Sequence, residues 1–361
     1  MKLLELFFEL LRCALWGGTF DRQLSQKEFL QLMAVAEQQT VTGLLFDILS
    51  GQQAGVEKQV VLRYANKLSK IHRKNQVTNA ELLDFAHLCE LNHIDIIVVK
   101  GQTIGTLYPN PMLRVSGDID FLIKDDYQSC KSLIENVLGV TLPEKMLERE
   151  VSFKRNGQLY ELHNNLIEFG SKKNNKYWKS LMQEAWDNPA YIVVDGAKVR
   201  TLPPTINAVY IFLHLFFHLI REGVALRQLC DWAVFLHACH DEIDRAELAQ
   251  ILERLDVVNA FRAFGSILIG DLGLPQTSFP MEVSEKDAEW RTRILRDIFK
   301  GGNFGKQNHH SKNSLMFKFE TMRIAWRNSR HYYSLAPTEA RLLLPRLLKR
   351  NLLLMAKGRL R

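Results

Sequence analysis

Cysteine is scarce in this chain of 361 residues. Cys13, Cys89, Cys130, Cys230 and Cys239 are odd in number, widely spaced and without a CxxC pair. That excludes a disulfide framework and a zinc ribbon, and fits reduced thiols in a cytoplasmic protein. Long hydrophobic runs are missing too. No stretch offers 18 uncharged apolar residues, so no membrane span is expected. The richest run, residues 208–220, is short and contains His214 and His218. The opening "MKLLELFFELLRCALWGG" is broken by Lys2, Glu5, Glu9 and Arg12 at helical spacing, which predicts an amphipathic helix rather than a secretory segment. There is no internal repeat, no low-complexity tract and no HExxH.

What is present is an ordinary globular composition, 47% hydrophobic and 24% charged. The net charge of +7 is unevenly placed. Residues 301–361 carry 13 Lys and Arg against 2 acids, whereas the preceding 300 residues carry 34 against 38. The basic character belongs to the C-terminal region.

Apolar residues recur at helical spacing over 2–16, 26–50 and 57–91. The pattern then switches. "HIDIIVVK" (93–100) reads as a strand, 102–109 as one or two helical turns, and "DIDFLI" (118–123) as a second strand. Residues 124–139 read as an amphipathic helix, with Asp125 or Asp126 at its N-cap and Gly139 as its stop. Asn156-Gly157 and Asp195-Gly196 mark the turns of two hairpins, 149–166 and 191–202. Helices return over 205–222, 225–240, 244–256, 258–271, 286–300, 315–330 and 337–356. The fold class expected is α+β: a helical N-terminal region (1–91), a small mixed sheet of four or five strands (92–202) and a helical C-terminal domain with a basic tail (203–361).

The second strand poses a chemical question. Asp118 and Asp120 sit in a run of strand formers, although Asp is depleted in strands and rarely buried unpaired. Alternate residues share a face, with Cα atoms about 6.5–7 Å apart. Two carboxylates so placed can converge on one hard cation, or they can simply face solvent at a strand edge. Ile119 and Phe121 take the other face, toward the core. On the later strand "LYELHNNL", Tyr160 and Leu162 face inward, leaving Glu161 and His163 on the opposite side. If the two strands are neighbours, Asp118, Asp120 and Glu161 form a three-carboxylate cluster suited to Mg²⁺ or Mn²⁺ and substrate phosphates. His163 would then polarise a substrate or orient Glu161, or be an ordinary hydrogen-bonded strand histidine. Lys100-Gly101 opens a turn where backbone can approach phosphate closely, and Lys100 and Arg114 add positive charge at the same mouth.

The stretch "VVKGQTIGTLYPNPMLRVSGDIDFLI" (98–123) resembles the active-site region of the nucleotidyltransferase superfamily with a DNA polymerase β-like fold. It resembles in particular the bacterial uncharacterised nucleotidyltransferase group, with its KG…LYP…R…GDIDLL pattern. "LHLFFHLIREGVALRQLCDW" (213–232) is similar to that group's LHxxxH…LRxxxD region, and the resemblance spans roughly residues 80–260. Gly101-Gln102 stands where the superfamily has Gly-Ser or Gly-Gly, and the gap from Gly101 to Asp118 is longer than the common one. The resemblance implies transfer of a nucleoside monophosphate from an NTP to a hydroxyl of a small molecule, a protein or tRNA. It implies Asp118 and Asp120 as metal ligands and Glu161 as third carboxylate, activating the acceptor hydroxyl. Lys100, Gly101, Gln102, Arg114, Gly117 and His163 would line the nucleotide. The alternative is a non-catalytic nucleotide-binding or scaffold protein that retains the fold.

Three other features carry less chemistry. His214 and His218 are spaced i, i+4 without an acidic or cysteine partner in their helix, which favours a structural role over zinc. Arg227 and Asp231 have the same spacing and are read as a structural ion pair, with phosphate contact by Arg227 as the alternative. The segment 341–361 is basic and amphipathic, with leucines for packing and, from Lys349 on, a face for tRNA or an anionic surface.

Overall fold

A computed structural model describes residues 2–51, 55–124, 127–146, 150–221, 223–301 and 314–342, with Pro345 and Leu348. The chain divides into two compact units. The first comprises residues 1–37, 41–168 and 179–207; the second comprises 38–40, 169–178 and 208–361.

The first unit opens with helices α1 (Lys2–Trp16), α2 (Gln26–Gln38), α3 (Thr42–Leu49) and the long α4 (Lys58–Leu91). The amphipathic reading of α1 holds: Leu6, Phe7, Leu10, Leu11 and Leu15 are buried, while Glu5 and Glu9 are exposed. Strands β1 (Ile96–Val99), β2 (Ile119–Ile123), β3 (Glu150–Arg155) and β4 (Gln158–His163) follow, with helices α5 (Gly101–Gly105) and α6 (Tyr127–Leu138) between them. Gly139 ends α6 at φ +66°, a conformation that suits a residue without Cβ. The expected Asp125 or Asp126 cap lies outside the described residues.

These strands form one mixed sheet in the order β1-β2-β4-β3. β2 runs antiparallel to β1 and parallel to β4, and β3 pairs antiparallel with β4. Asn156 (φ 50°) and Gly157 (φ +78°) close the β3–β4 hairpin with both central residues at positive φ, as a two-residue primed turn requires. Asp195 and Gly196 do the same between β5 (Ala190–Val194) and β6 (Ala197–Thr201), a separate two-stranded sheet.

One face of the mixed sheet is the core. Phe85 of α4 packs on Phe121 (ring centroids 4.7 Å) and on Tyr160 (5.3 Å), and Tyr160 stacks on Phe153 at 4.9 Å. Leu82 and Cys89 of α4, and Cys130 and Ile134 of α6, complete this layer. The period-2 alternation of β2 and β4 then forces Asp120, Glu161 and His163 onto the other face. Helix α7 (Lys172–Asp187) is shared between the two units.

The second unit contains α8 (Pro204–Arg221), α9 (Leu226–Ala238), α10 (Arg245–Leu255), α11 (Val258–Gly270), α12 (Glu285–Gly301) and α13 (Ser314–His331). Phe212, Trp232, Phe261 and Phe279 form its aromatic centre; Phe212 lies 5.0 Å from Phe261, and Trp232 4.9 Å from Phe261. His214 and His218 meet edge-on at 4.4 Å within α8. The fold is α+β: in chain order, helices, then a small mixed sheet, then helices again. All five cysteines are free thiols. Among the described residues no helix is long and apolar enough to cross a membrane. Residues 337–342 begin the last expected helix, and the basic residues from Lys349 onward lie outside the described residues.

Phe85 joins α4 to two strands and is fully buried. Phe85→Ala is expected to lower unfolding free energy by about 3–5 kcal/mol, the range for deleting a buried aromatic ring, as read by urea denaturation of the full chain.

Candidate functional site

The polar face of β2 and β4 gathers the chemistry. In the parallel register Asp120 lies beside Glu161, and Leu122 beside His163. Adjacent strands are about 4.8 Å apart, so the register alone places two carboxylates within reach of one ion. Asp120 is 3% exposed. Its Oδ1 accepts a hydrogen bond from Lys100 Nζ at 3.1 Å and lies 3.0 Å from His163 Nε2. His163 Nε2 is 3.8 Å from Glu161 Oε2, and its Nδ1 is 3.5 Å from Glu150 Oε2 on β3. Asp120, Glu161 and His163 each offer one ligand atom, all within 4.8 Å of one another.

Electrostatics drives the two acids apart. Burial by itself would raise the Asp120 carboxyl, but the Lys100 ammonium and the His163 hydrogen bond outweigh it and hold the acid well below the usual carboxylate range. Burial pushes Glu161 upward as well. There the negative charges of Asp120, Asp118 and Glu150 add to it, Lys100 offsets only part, and the carboxyl is pushed up to about 8. A cation bound between them would remove this penalty. Two carboxylates and one imidazole are a donor set that fits a divalent ion, and the group can hold a metal.

The remaining residues singled out in the sequence fall into two groups. Asp118 lies one residue before β2 and is half-buried; its charge reaches Glu161, but the three ligand atoms that converge are those of Asp120, Glu161 and His163. The expected three-carboxylate set is thus one with an imidazole drawn in. Gly101 is close to the same strand: a Cβ there would sit 3.4 Å from the Asp118 carbonyl oxygen. Lys100 and Gly101 both have positive φ, at 54° and +49°. Gln102, Arg114 and Gly117 instead anchor the loops. Gln102 is buried, and its amide donates to Asn79 of α4. Arg114 is 4% exposed, with its carbonyl accepting from Asn75 Nδ2 at 2.8 Å. The Gly117 carbonyl accepts from Gln158 Nε2 at 2.9 Å.

Sequence reasoning missed this anchoring layer. Asn75, Thr78 and Asn79 occupy one face of α4 at i, i+3 and i+4 and are buried. Asn75 Nδ2 also donates to the Met112 carbonyl at 3.0 Å, Thr78 Oγ1 to Gln158 Oε1 at 3.0 Å, and Asn79 Nδ2 to Asp195 Oδ2 at 2.8 Å. Buried amides hold the backbone that leads into β2, which is how a long loop acquires a single path. The signal was available as polar residues at helical spacing, but it reads equally well as an exposed helix face. Glu150 was missed as well: it opens β3, and only the pairing Glu150↔His163 brings it to the site.

The raised Glu161 carboxyl has a consequence for stability. The folded state holds this proton more tightly than the unfolded chain, whose ordinary value is 4.5. Its stabilising contribution is therefore complete below about pH 4.5 and lost as pH rises through about 8. Asp120 has the opposite sign, stabilising above the ordinary carboxylate range and losing that contribution as pH falls. Glu161→Gln is expected to melt with wild type under acid conditions and several degrees above it at pH ~9, in thermal melts across pH without divalent ions.

A solved structure, that of an antigenic nucleotidyltransferase-like protein from Paracoccidioides brasiliensis, aligns with 60% of this chain and 96% of its own, at 13% identity and a TM-score of 0.35. No curated protein matches the chain. The family model described as "Uncharacterised nucleotidyltransferase" matches residues 25–268, which take in the sheet, the Lys100-Gly101 turn and the Asp120–Glu161–His163 group. With more than half of its length matched, the chain belongs to the uncharacterised nucleotidyltransferase family.

Proposed function

We propose that the protein is a divalent-metal-dependent nucleotidyltransferase that moves a nucleoside monophosphate from an NTP to an acceptor hydroxyl. The observation that carries this reading is the pairing Asp120↔Glu161 on neighbouring parallel strands, with His163 alongside, in a chain of nucleotidyltransferase family. Mg²⁺ or Mn²⁺ held by Asp120, Glu161 and His163, with the Asp118 carboxylate one residue before the strand, would neutralise charge on the phosphates. We place the catalytic core at residues 92–202, with the helical regions on either side.

The chain's own residues have defined tasks. Lys100 and the Gly101 turn receive the triphosphate, with Gln102 and Arg114 fixing the loops around it and Gly117 leaving room before β2. The acceptor oxygen attacks the α-phosphorus, the bond from that phosphorus to the bridging oxygen breaks, and pyrophosphate leaves. The acceptor proton passes to the Glu161 carboxylate. His163 holds Asp120 in place through its 3.0 Å contact.

Isothermal titration of each NTP with Mg²⁺ against wild type and Asp120→Ala tests this. The expected result is metal-dependent binding of at least one NTP by wild type, weakened at least about tenfold in the variant. Transfer of label from the α-phosphate to an acceptor fraction should be lost in the same variant. Binding without any transfer would point to the scaffold alternative, and no binding of any NTP by folded wild type would overturn the transferase reading.

A further inference from the structure

Lys100 is built into this site in an unusual way. It follows β1 with φ 54° and ψ −147°, a region that residues with a side chain rarely adopt. Such a backbone is strained and persists only where its surroundings enforce it. The enforcement is visible: the Lys100 carbonyl accepts from the Thr103 amide at 3.0 Å and from Thr103 Oγ1 at 2.7 Å. The turn directs the side chain, only 15% exposed, to a carboxylate that is itself 3% exposed. The ammonium meets Asp120 at Oδ1, the same oxygen that His163 Nε2 approaches.

We propose that Lys100 is an exchangeable counter-ion, which neutralises Asp120 while the site is empty, is expelled from it by the divalent cation and then binds the nucleotide triphosphate. The proposal rests on the reading of Asp120, Glu161 and His163 as a metal site. The argument is electrostatic. A buried carboxylate must be neutralised or paired, and in the empty site the ammonium does this at 3.1 Å. A dication on Asp120 would stand only a few ångströms from that ammonium, and two like charges at such a distance in a buried site repel strongly. Both cannot share Oδ1. The expelled ammonium stays tethered by its own enforced turn, beside the same strand end, where the triphosphate that arrives with the metal offers it a new anion. Charge is thereby kept near balance in both states: lysine on carboxylate when empty, metal on carboxylate and lysine on phosphate when loaded. A lysine serving only as a static structural partner would stay on Asp120 and raise metal affinity in neither direction.

Two measurements separate these roles. The first is Mn²⁺ binding without nucleotide, followed by the electron paramagnetic resonance of the free ion, for wild type, Lys100→Met and Lys100→Gln. Removing the competing ammonium is expected to tighten Mn²⁺ binding by at least about tenfold while weakening Mn²⁺–NTP binding by a similar factor. The second uses wild type alone and so does not depend on a variant folding: acylation of Lys100 by an activated ester, read by mass spectrometry of the peptide that contains it. Labelling should rise on adding Mn²⁺ and fall again when NTP is added with it. Unchanged or weaker Mn²⁺ binding by folded variants, or Lys100 labelling insensitive to saturating Mn²⁺, would overturn the exchange while leaving the metal site standing. No Mn²⁺ uptake by wild type would overturn the metal site and the exchange together.

Discussion

The parallel pairing of β2 with β4 sets two acids side by side, Asp120 opposite Glu161, and much of the first unit can be understood as the means of tolerating that pair. Like charges on neighbouring strands are unfavourable. The protein answers with one lysine, one histidine and a proton. Lys100 and His163 keep Asp120 ionised, and Glu161 is left to hold its proton more tightly than a free glutamate does. Acids that need a lysine, a histidine and a proton to be tolerated are a good receptor for cations.

The cost of the site is spread over its supports. The aromatic layer of Phe85, Phe121, Phe153 and Tyr160 fixes which face of β2 and β4 is inward, and so which face must carry the polar residues. The amides of Asn75, Asn79 and Gln158 hold the loop from Met112 to Gly117 and the Gln102 turn. Gly43 adds a steric constraint: a Cβ there would lie 2.2 Å from the Leu113 carbonyl oxygen, so α3 packs directly against the same loop. The loop that leads into β2 is thus clamped from two sides by the N-terminal helices, within one compact unit that also includes the sheet.

The balance between the two carboxyls also connects structure to mechanism. Asp120 is suited to stay charged and hold a cation, whereas Glu161 is suited to gain and lose a proton near neutrality. The division follows from position. Asp120 is within reach of Lys100 and His163, and Glu161 is surrounded by Asp120, Asp118 and Glu150.

Local chemistry in the chain determined the elements. Asn156-Gly157 and Asp195-Gly196 specify primed turns because few other residues tolerate two successive positive φ values. The alternation in "DIDFLI" and "LYELH" specifies which side chains share a face, since the strand period is two. The "VKG…GDID" stretch was enough to carry the family resemblance, and the family model matches across it. Tertiary structure alone decided which strands are neighbours, and hence that Glu161 and His163 join Asp120 while Glu150 arrives from β3. It also decided that Asp118 stops short of the strand, that Gln102 turns into α4, and that a polar stripe at 75–79 is buried rather than solvated. Pairing and burial depend on contacts between residues far apart in the chain. No local propensity encodes them, so the site's residues were legible one strand at a time and its geometry only once the strands had met.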